Sequence, residues 1–241
     1  MADRMILDGH KLPWHTDRVE AWEAGERIAP ITIDMALTRA CDASCFFCYA
    51  MLQESQSRSN ITPDIAKQFL DDCAEIGVRG VSLVSDGESD LSPAFVPFIQ
   101  HARSIGIDVA SGTNGRMVTP EIAEQILPAL TYIRFNVSGG TPRRYADIMY
   151  SDPSRTDIFF HIMRNISHCA ELKRKKKLAV TIGTQMVLSP DDEDQIIPFA
   201  QLTLDLGVDY GVIKHCSDDE NGSLGIDYSK YAGFYGKLRE A

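Results

Sequence analysis

The chain has 241 residues, 44% of them hydrophobic, which is enough to bury one sizeable core and excludes a disordered tail or a fibre. Its 34 acidic and 24 basic side chains leave a net charge of -10, which argues against a sequence-independent grip on nucleic acid or anionic lipid. No apolar run approaches the ~20 residues needed to cross a bilayer, and six cysteines are too few for a disulfide scaffold, so a cytoplasmic protein with reduced thiols is expected.

In chain order, residues 1–15 mix charged and apolar side chains and contain no apolar core for a signal peptide. A short helix containing Trp22 is predicted over 16–27, where it would plug or flank the main domain, and Pro30 separates it from the first strand. Strands are predicted at 31–37, 81–85, 107–111, 132–138, 178–188 and 208–214, alternating with longer amphipathic stretches. The mean step is about 35 residues, the length of one βαβ unit. Gly77, Gly106 and Gly207 stand where helices would end in the left-handed conformation, and Thr62-Pro63, Thr119-Pro120 and Ser189-Pro190 are read as helix starts. After the sixth strand come a polar loop, 217–225, and a stretch whose Tyr231, Phe234, Tyr235 and Leu238 keep helical spacing. The uncapped ending at Ala241 raises the expectation that a further C-terminal region is present in the natural protein.

Directly after the first strand lie Cys41, Cys45 and Cys48, spaced C-x3-C-x2-C. In a parallel βα array that loop is on the carboxyl face, where active sites gather. Three thiolates can hold three irons of a cuboidal cluster and leave the fourth open, whereas a fully protein-held cluster takes four. The spacing, with Phe47 in an aromatic slot, resembles the defining motif of the radical S-adenosylmethionine (SAM) superfamily. The likeness continues through Ser85-Asp86-Gly87-Glu88-Ser89, similar to that family's G-G-E-P segment, through Thr113-Asn114-Gly115, and through the fourth strand from Tyr132 to Thr141.

The resemblance implies an α/β fold: a partial (β/α)6 TIM-like barrel of parallel strands with a short N-terminal helical extension. Its parts would be an extension over 1–30, a radical SAM core over 31–216 and a post-barrel loop and helix over 217–241, in the manner of members with a SPASM or twitch-like extension. It also implies a 4Fe-4S cluster on Cys41, Cys45 and Cys48, and SAM held by Phe47, Gly87, Glu88, Asn136, Ser138 and Gln185. The implied chemistry is reductive cleavage of SAM to a 5′-deoxyadenosyl radical that takes hydrogen from a substrate, a peptide or small natural product by analogy. A flavodoxin or ferredoxin is the implied electron donor. Two departures stand out: Asp86 and Ser89 replace the first Gly and the Pro of G-G-E-P, and Asn136 and Ser138 replace the family's usual Ser and Asp.

The competing reading of the three cysteines is a structural zinc site, which would call for a fourth ligand and commonly a second pair of cysteines. Cys73 falls with Ile65, Phe69 and Ile76 on one helical face, and Cys169 with Ile158, Ile162 and Ile166, so both are expected in the core. Cys216 follows Lys214 and His215 just past the sixth strand, on the active face, and the three are candidates to touch SAM or substrate. The run Lys173 to Lys177 belongs on the opposite face, as a solvated helix end. Arg143 and Arg144, after the fourth strand, are candidates to meet a carboxylate or phosphate.

Overall fold

A computed structural model describes residues 14–48 and 59–241, so the prediction for 1–13 lies outside the described residues. Six strands, β1 (Thr32–Asp34), β2 (Gly80–Leu83), β3 (Asp108–Thr113), β4 (Tyr132–Asn136), β5 (Thr181–Leu188) and β6 (Tyr210–His215), pair in parallel and in chain order. Among the described residues β1 and β6 do not meet, and the result is the expected α/β arrangement of a partial, open TIM-like barrel. The edge strand β6 leaves Gly211, Val212, Lys214 and His215 exposed, while β5 is buried from Ile182 to its end.

Among the described residues eight α-helices accompany the strands: α1 (Thr16–Glu23), α2 (Pro63–Glu75), α3 (Phe95–Ser104), α4 (Pro120–Ile126), α5 (Pro142–Tyr150), α6 (Thr156–Lys176), α7 (Ile196–Leu206) and α8 (Tyr235–Glu240). Thr62 and Thr119 cap α2 and α4 by accepting from the amides of Ile65 and Ile122, each before a proline in the first turn. Gly77, Gly106 and Gly207 all have positive φ at helix ends. On β4, Ile133 and Phe135 enter the core, and Phe135 lies with Ile162 beside Gly115; alternation leaves Arg134 and Asn136 on the opposite face.

Several expectations are corrected. β1 is shorter than predicted because the backbone beyond Met35 turns to other partners: the Leu37 carbonyl accepts from Ile61 and its amide donates to Ser89 Oγ. Helix α1 ends at Glu23 and flanks the barrel without burying a residue, held by Arg18 donating to the carbonyls of Gly77, Ala29 and Pro30. Ser189-Pro190 opens a turn, not a helix. Asp192 bonds back to Ser189, a 3-10 turn comes next at Glu193–Gln195, and α7 starts only at Ile196. On α2 the buried face is Ala66, Leu70 and Cys73, while Ile65 and Ile76 are exposed. The C-terminal stretch is a 3-10 helix, Tyr228–Phe234, before α8, and it buries Phe234 alone.

Cys169 and its three isoleucines are buried as expected. The basic run closes α6, and three of its lysines are paired: Lys173 with Asp209, Lys175 with Glu171 and Lys176 with Glu124. Among the described residues no helix is long and apolar enough to cross a membrane.

Candidate active site

The cysteine loop leaves the carboxyl end of β1 and is backed by the end of α5. Ser44 donates its amide to the Met149 carbonyl at 3.0 Å, and Ser151 Oγ donates to the Ser44 carbonyl at 3.3 Å. The Cys45 thiol lies 3.7 Å from both the Met149 carbonyl and its sulfur. Cys48 donates its amide to the Cys45 carbonyl at 3.1 Å, so the last two cysteines share a turn. Phe47 packs edge-on to the exposed Phe46 and against the core.

The Cys41 and Cys45 thiols both feel Cys48. Burial pushes the Cys41 thiol up to about 11, with Glu88, Asp42 and Cys48 adding to the effect. Burial raises the Cys45 thiol further, helped by Cys48 and Cys41. Thiols in such surroundings ionise when a cation arrives to take them as thiolates. Among the described residues no three His, Cys, Asp or Glu side chains converge to hold a single metal ion.

Facing this loop is the segment after β2. Gly87 has φ +70, and a Cβ there would come within 2.7 Å of Arg39 Cα, so only glycine allows the two backbones to approach. Asp86 needs no left-handed conformation; its carboxylate lies 3.6 Å from the Arg39 guanidinium. Ser89, in the slot of the family's proline, is buried and its hydroxyl accepts the Leu37 amide at 3.3 Å. Glu88 is 5% exposed. Its amide donates to the Ala40 carbonyl at 2.8 Å, and its Oε2 accepts the Asn114 amide at 2.7 Å. Its Oε1 is buried without a partner among the described residues, and burial, then Asp90, holds the carboxyl well above the usual carboxylate range.

The end of β3 ties these pieces together. Asn114 Nδ2 donates to Asp42 Oδ1 at 2.7 Å, Arg116 donates to Asp42 Oδ2 at 3.1 Å, and Thr113 Oγ1 donates to Asp90 Oδ2 at 2.9 Å. Sequence reasoning does not single out Asp42, Asp90 or Arg116. Asp42 could have been found as the charged residue between two ligand-type cysteines; Asp90 and Arg116 carry no local signal. It also misses the start of α5, although Thr141-Pro142 repeats the Thr-Pro signal that marks α2 and α4.

The remaining candidates fall into two groups. Gln185 lies beside Asn136 in the β4–β5 register and donates to its Oδ1 at 3.3 Å. Ser138 is fully buried, its hydroxyl accepting the Val187 amide at 3.0 Å and prolonging the sheet. Cys216 is also fully buried; its amide is shared between the Leu188 carbonyl and the Tyr231 hydroxyl, which makes it part of the framework. His215 packs between Tyr228 and Tyr231. Arg144 meets carboxylates of the protein itself, Asp192 at 2.5 Å and Asp147 at 3.1 Å, and Arg143 is exposed.

A family model described as "Radical SAM superfamily" matches residues 35–202. The chain is 33% identical over 101 residues to the AdoMet-dependent heme synthase of Methanosarcina barkeri, covering 42% of this chain and 29% of that protein. It is 26% identical over 187 residues to the Fe-coproporphyrin III synthase of the same organism, covering 77% of this chain and 44% of that one. The chain therefore spans less than half the length of these curated relatives. Among solved structures, Streptococcus suis SuiB bound to S-adenosylmethionine superposes with a TM-score of 0.67 at 15% identity, over 95% of this chain and 53% of SuiB, and SuiB has also been crystallised with the precursor peptide SuiA. Three cysteines on one loop, two of them with desolvated thiols, a glycine that leaves no room for a side chain and a buried glutamate oxygen without a partner among the described residues fit a cluster and a cationic ligand at this end of the sheet. The chain belongs to the radical SAM superfamily, whose members are enzymes that use a 4Fe-4S cluster and SAM.

Proposed function

We propose that this chain is the radical-generating part of an enzyme that cleaves SAM reductively and abstracts hydrogen from a peptide or small natural product. The observation that carries this reading is the buried Glu88 Oε1, unpartnered among the described residues and held over the cysteine loop by the close approach of Gly87 to Arg39. In this reading Cys41, Cys45 and Cys48 hold the cluster with Phe47 packed alongside, and 31–216 is the core, between an extension over 1–30 and a trailing segment over 217–241. When bound, the cluster and SAM together supply an electron transfer that yields methionine and a 5′-deoxyadenosyl radical.

The chain's own residues bind and orient. Glu88 accepts from the amino group of SAM, with the carbonyls beside Gly87 completing the contact. Asn136 and Gln185, bonded to each other at 3.3 Å, present amide groups toward the ribose and carboxylate, and Ser138 steadies that level of the sheet through Val187. Met149 behind Cys45 keeps water from that side of the loop, which favours controlled radical chemistry. A flavodoxin or ferredoxin in the cytoplasm is the electron donor the reading requires, since iron-sulfur potentials reach down to about -700 mV and this chemistry needs the low end. A peptide substrate is supported by SuiB having been solved with a precursor peptide.

The test is anaerobic reconstitution with iron and sulfide, then incubation with SAM and a low-potential reductant. Formation of 5′-deoxyadenosine that depends on all three cysteines is expected. A fully loaded protein that leaves SAM uncleaved would contradict the reading.

A further inference from the structure

Resting on the SAM site proposed above, a second carboxylate can be assigned to it. Glu88 and Asp90 flank the start of the 3-10 turn Ser89–Leu91, and both reach the end of β3. Each commits one oxygen there: Glu88 Oε2 to the Asn114 amide at 2.7 Å and Asp90 Oδ2 to the Thr113 hydroxyl at 2.9 Å. Thr113 has one hydroxyl proton to give, and its oxygen in turn accepts from the Gly115 amide at 2.8 Å. Each carboxylate keeps its other oxygen, Glu88 Oε1 and Asp90 Oδ1, buried with no hydrogen-bond partner among the described residues.

The charge balance around them is one-sided. Burial, then Asp90 and Asp42, holds the Glu88 carboxyl up, burial with Asp42 pushes the Asp90 carboxyl up to about 7, and the cation bonded within this trio, Arg116, is committed to Asp42. Two buried acceptors without donors are costly in an empty fold, and the cost is relieved by a ligand that brings positive charge and more than one N–H. A primary ammonium carries three. We propose that Asp90 is, with Glu88, a direct ligand of the ammonium on the methionine half of SAM, so that the amino group is held by a pair of carboxylates in place of one. The Thr113 hydroxyl positions Asp90 for this, and the Asn114 amide positions Glu88.

The experiment uses the full chain, cluster-loaded under anaerobic conditions, and measures equilibrium binding of three probes: SAM, S-adenosylhomocysteine, and methylthioadenosine, which lacks the amino acid group. Asp90→Asn should weaken SAM and S-adenosylhomocysteine by about tenfold each, as expected for loss of a charge-assisted hydrogen bond. Methylthioadenosine affinity and iron per chain should stay as in the wild type, and Asp90→Glu should recover most of the SAM affinity. Unchanged SAM binding in Asp90→Asn, an equal loss for methylthioadenosine, or an Asp90→Glu variant as weak as Asp90→Asn would each overturn the assignment. If Glu88→Gln loses SAM while Asp90→Asn does not, the proposed site stands and Asp90 is no part of it. A loaded wild-type protein that binds no SAM would remove the site and this inference together.

Discussion

The two ends of the sheet are finished in different ways. At the amino end, charges find partners within the fold: Lys173 lies against Asp209, which also accepts the Ile182 amide at 2.7 Å, Lys176 meets Glu124, and Thr131 donates to Asp108 at 2.7 Å. At the carboxyl end, Glu88 Oε1, Asp90 Oδ1 and Asp192 Oδ2 are buried without partners among the described residues, and the thiols of Cys41 and Cys45 are desolvated beside carboxylates. The difference separates groups that serve the fold from groups held ready for something else. A fold selected only for stability would not leave that many acceptors unmet in one place.

Substitutions at the two ends test this contrast. The largest effect is expected at Gly87→Ala, where a positive φ and a backbone clash with Arg39 coincide: unfolding free energy should fall by about 2–4 kcal/mol in chemical denaturation, with SAM binding lost. At the amino end Lys176→Ala should change stability by no more than about 0.5 kcal/mol, because both partners of that ion pair are exposed. Equal losses at the two positions would dissolve the distinction.

Glu88→Gln is the next in size, and its two consequences have opposite signs. Burial already disfavours the charged carboxylate, so near neutral pH the unloaded variant should melt no lower than the wild type, while SAM affinity in the loaded protein falls by about 10- to 100-fold. A variant that is both less stable and unimpaired in SAM binding would show that Glu88 belongs to the framework.

A smaller effect depends on pH. Burial, outweighing Arg144, pushes the Asp192 carboxyl up to about 6. The folded protein therefore keeps a proton there that the unfolded chain has lost, and this group's contribution to stability falls as pH rises from about 4 to about 6. Relative to wild type, Asp192→Asn should gain about 1–2 kcal/mol between pH 4 and pH 7, measured as the difference in denaturant unfolding at the two pH values. A gain that runs the other way would mean that the Arg144 ion pair dominates.

Much of this architecture is legible in the sequence, because its signals are local. Alternation along β4, the Thr-Pro starts of α2 and α4 and the glycines after α2, α3 and α7 each depend on a few consecutive residues. Ser189-Pro190 carries the same local signal and misleads, since distant groups claim the next residues of the chain: Arg144 binds Asp192, and Gln195 accepts from the amides of Gly140 and Thr141. The cysteines and Glu88 are readable as motifs. Asp90 and Arg116 are not, because their roles arise only when β2, β3 and the cysteine loop come together across many residues of chain. The exposed Ile65 and Ile76 teach the same lesson in the core, where helical spacing alone does not say which of two apolar faces the sheet will cover.

Completion of the carboxyl end by a three-cysteine cluster is the claim on which all of these expectations depend. Iron, acid-labile sulfide and zinc counted per chain after anaerobic reconstitution test it most directly, in the wild type and in the Cys41→Ala, Cys45→Ala and Cys48→Ala variants. A brown wild-type protein with about four irons and four sulfides is predicted, with loss of both in every variant. A colourless wild type that retains tight, stoichiometric zinc would contradict it.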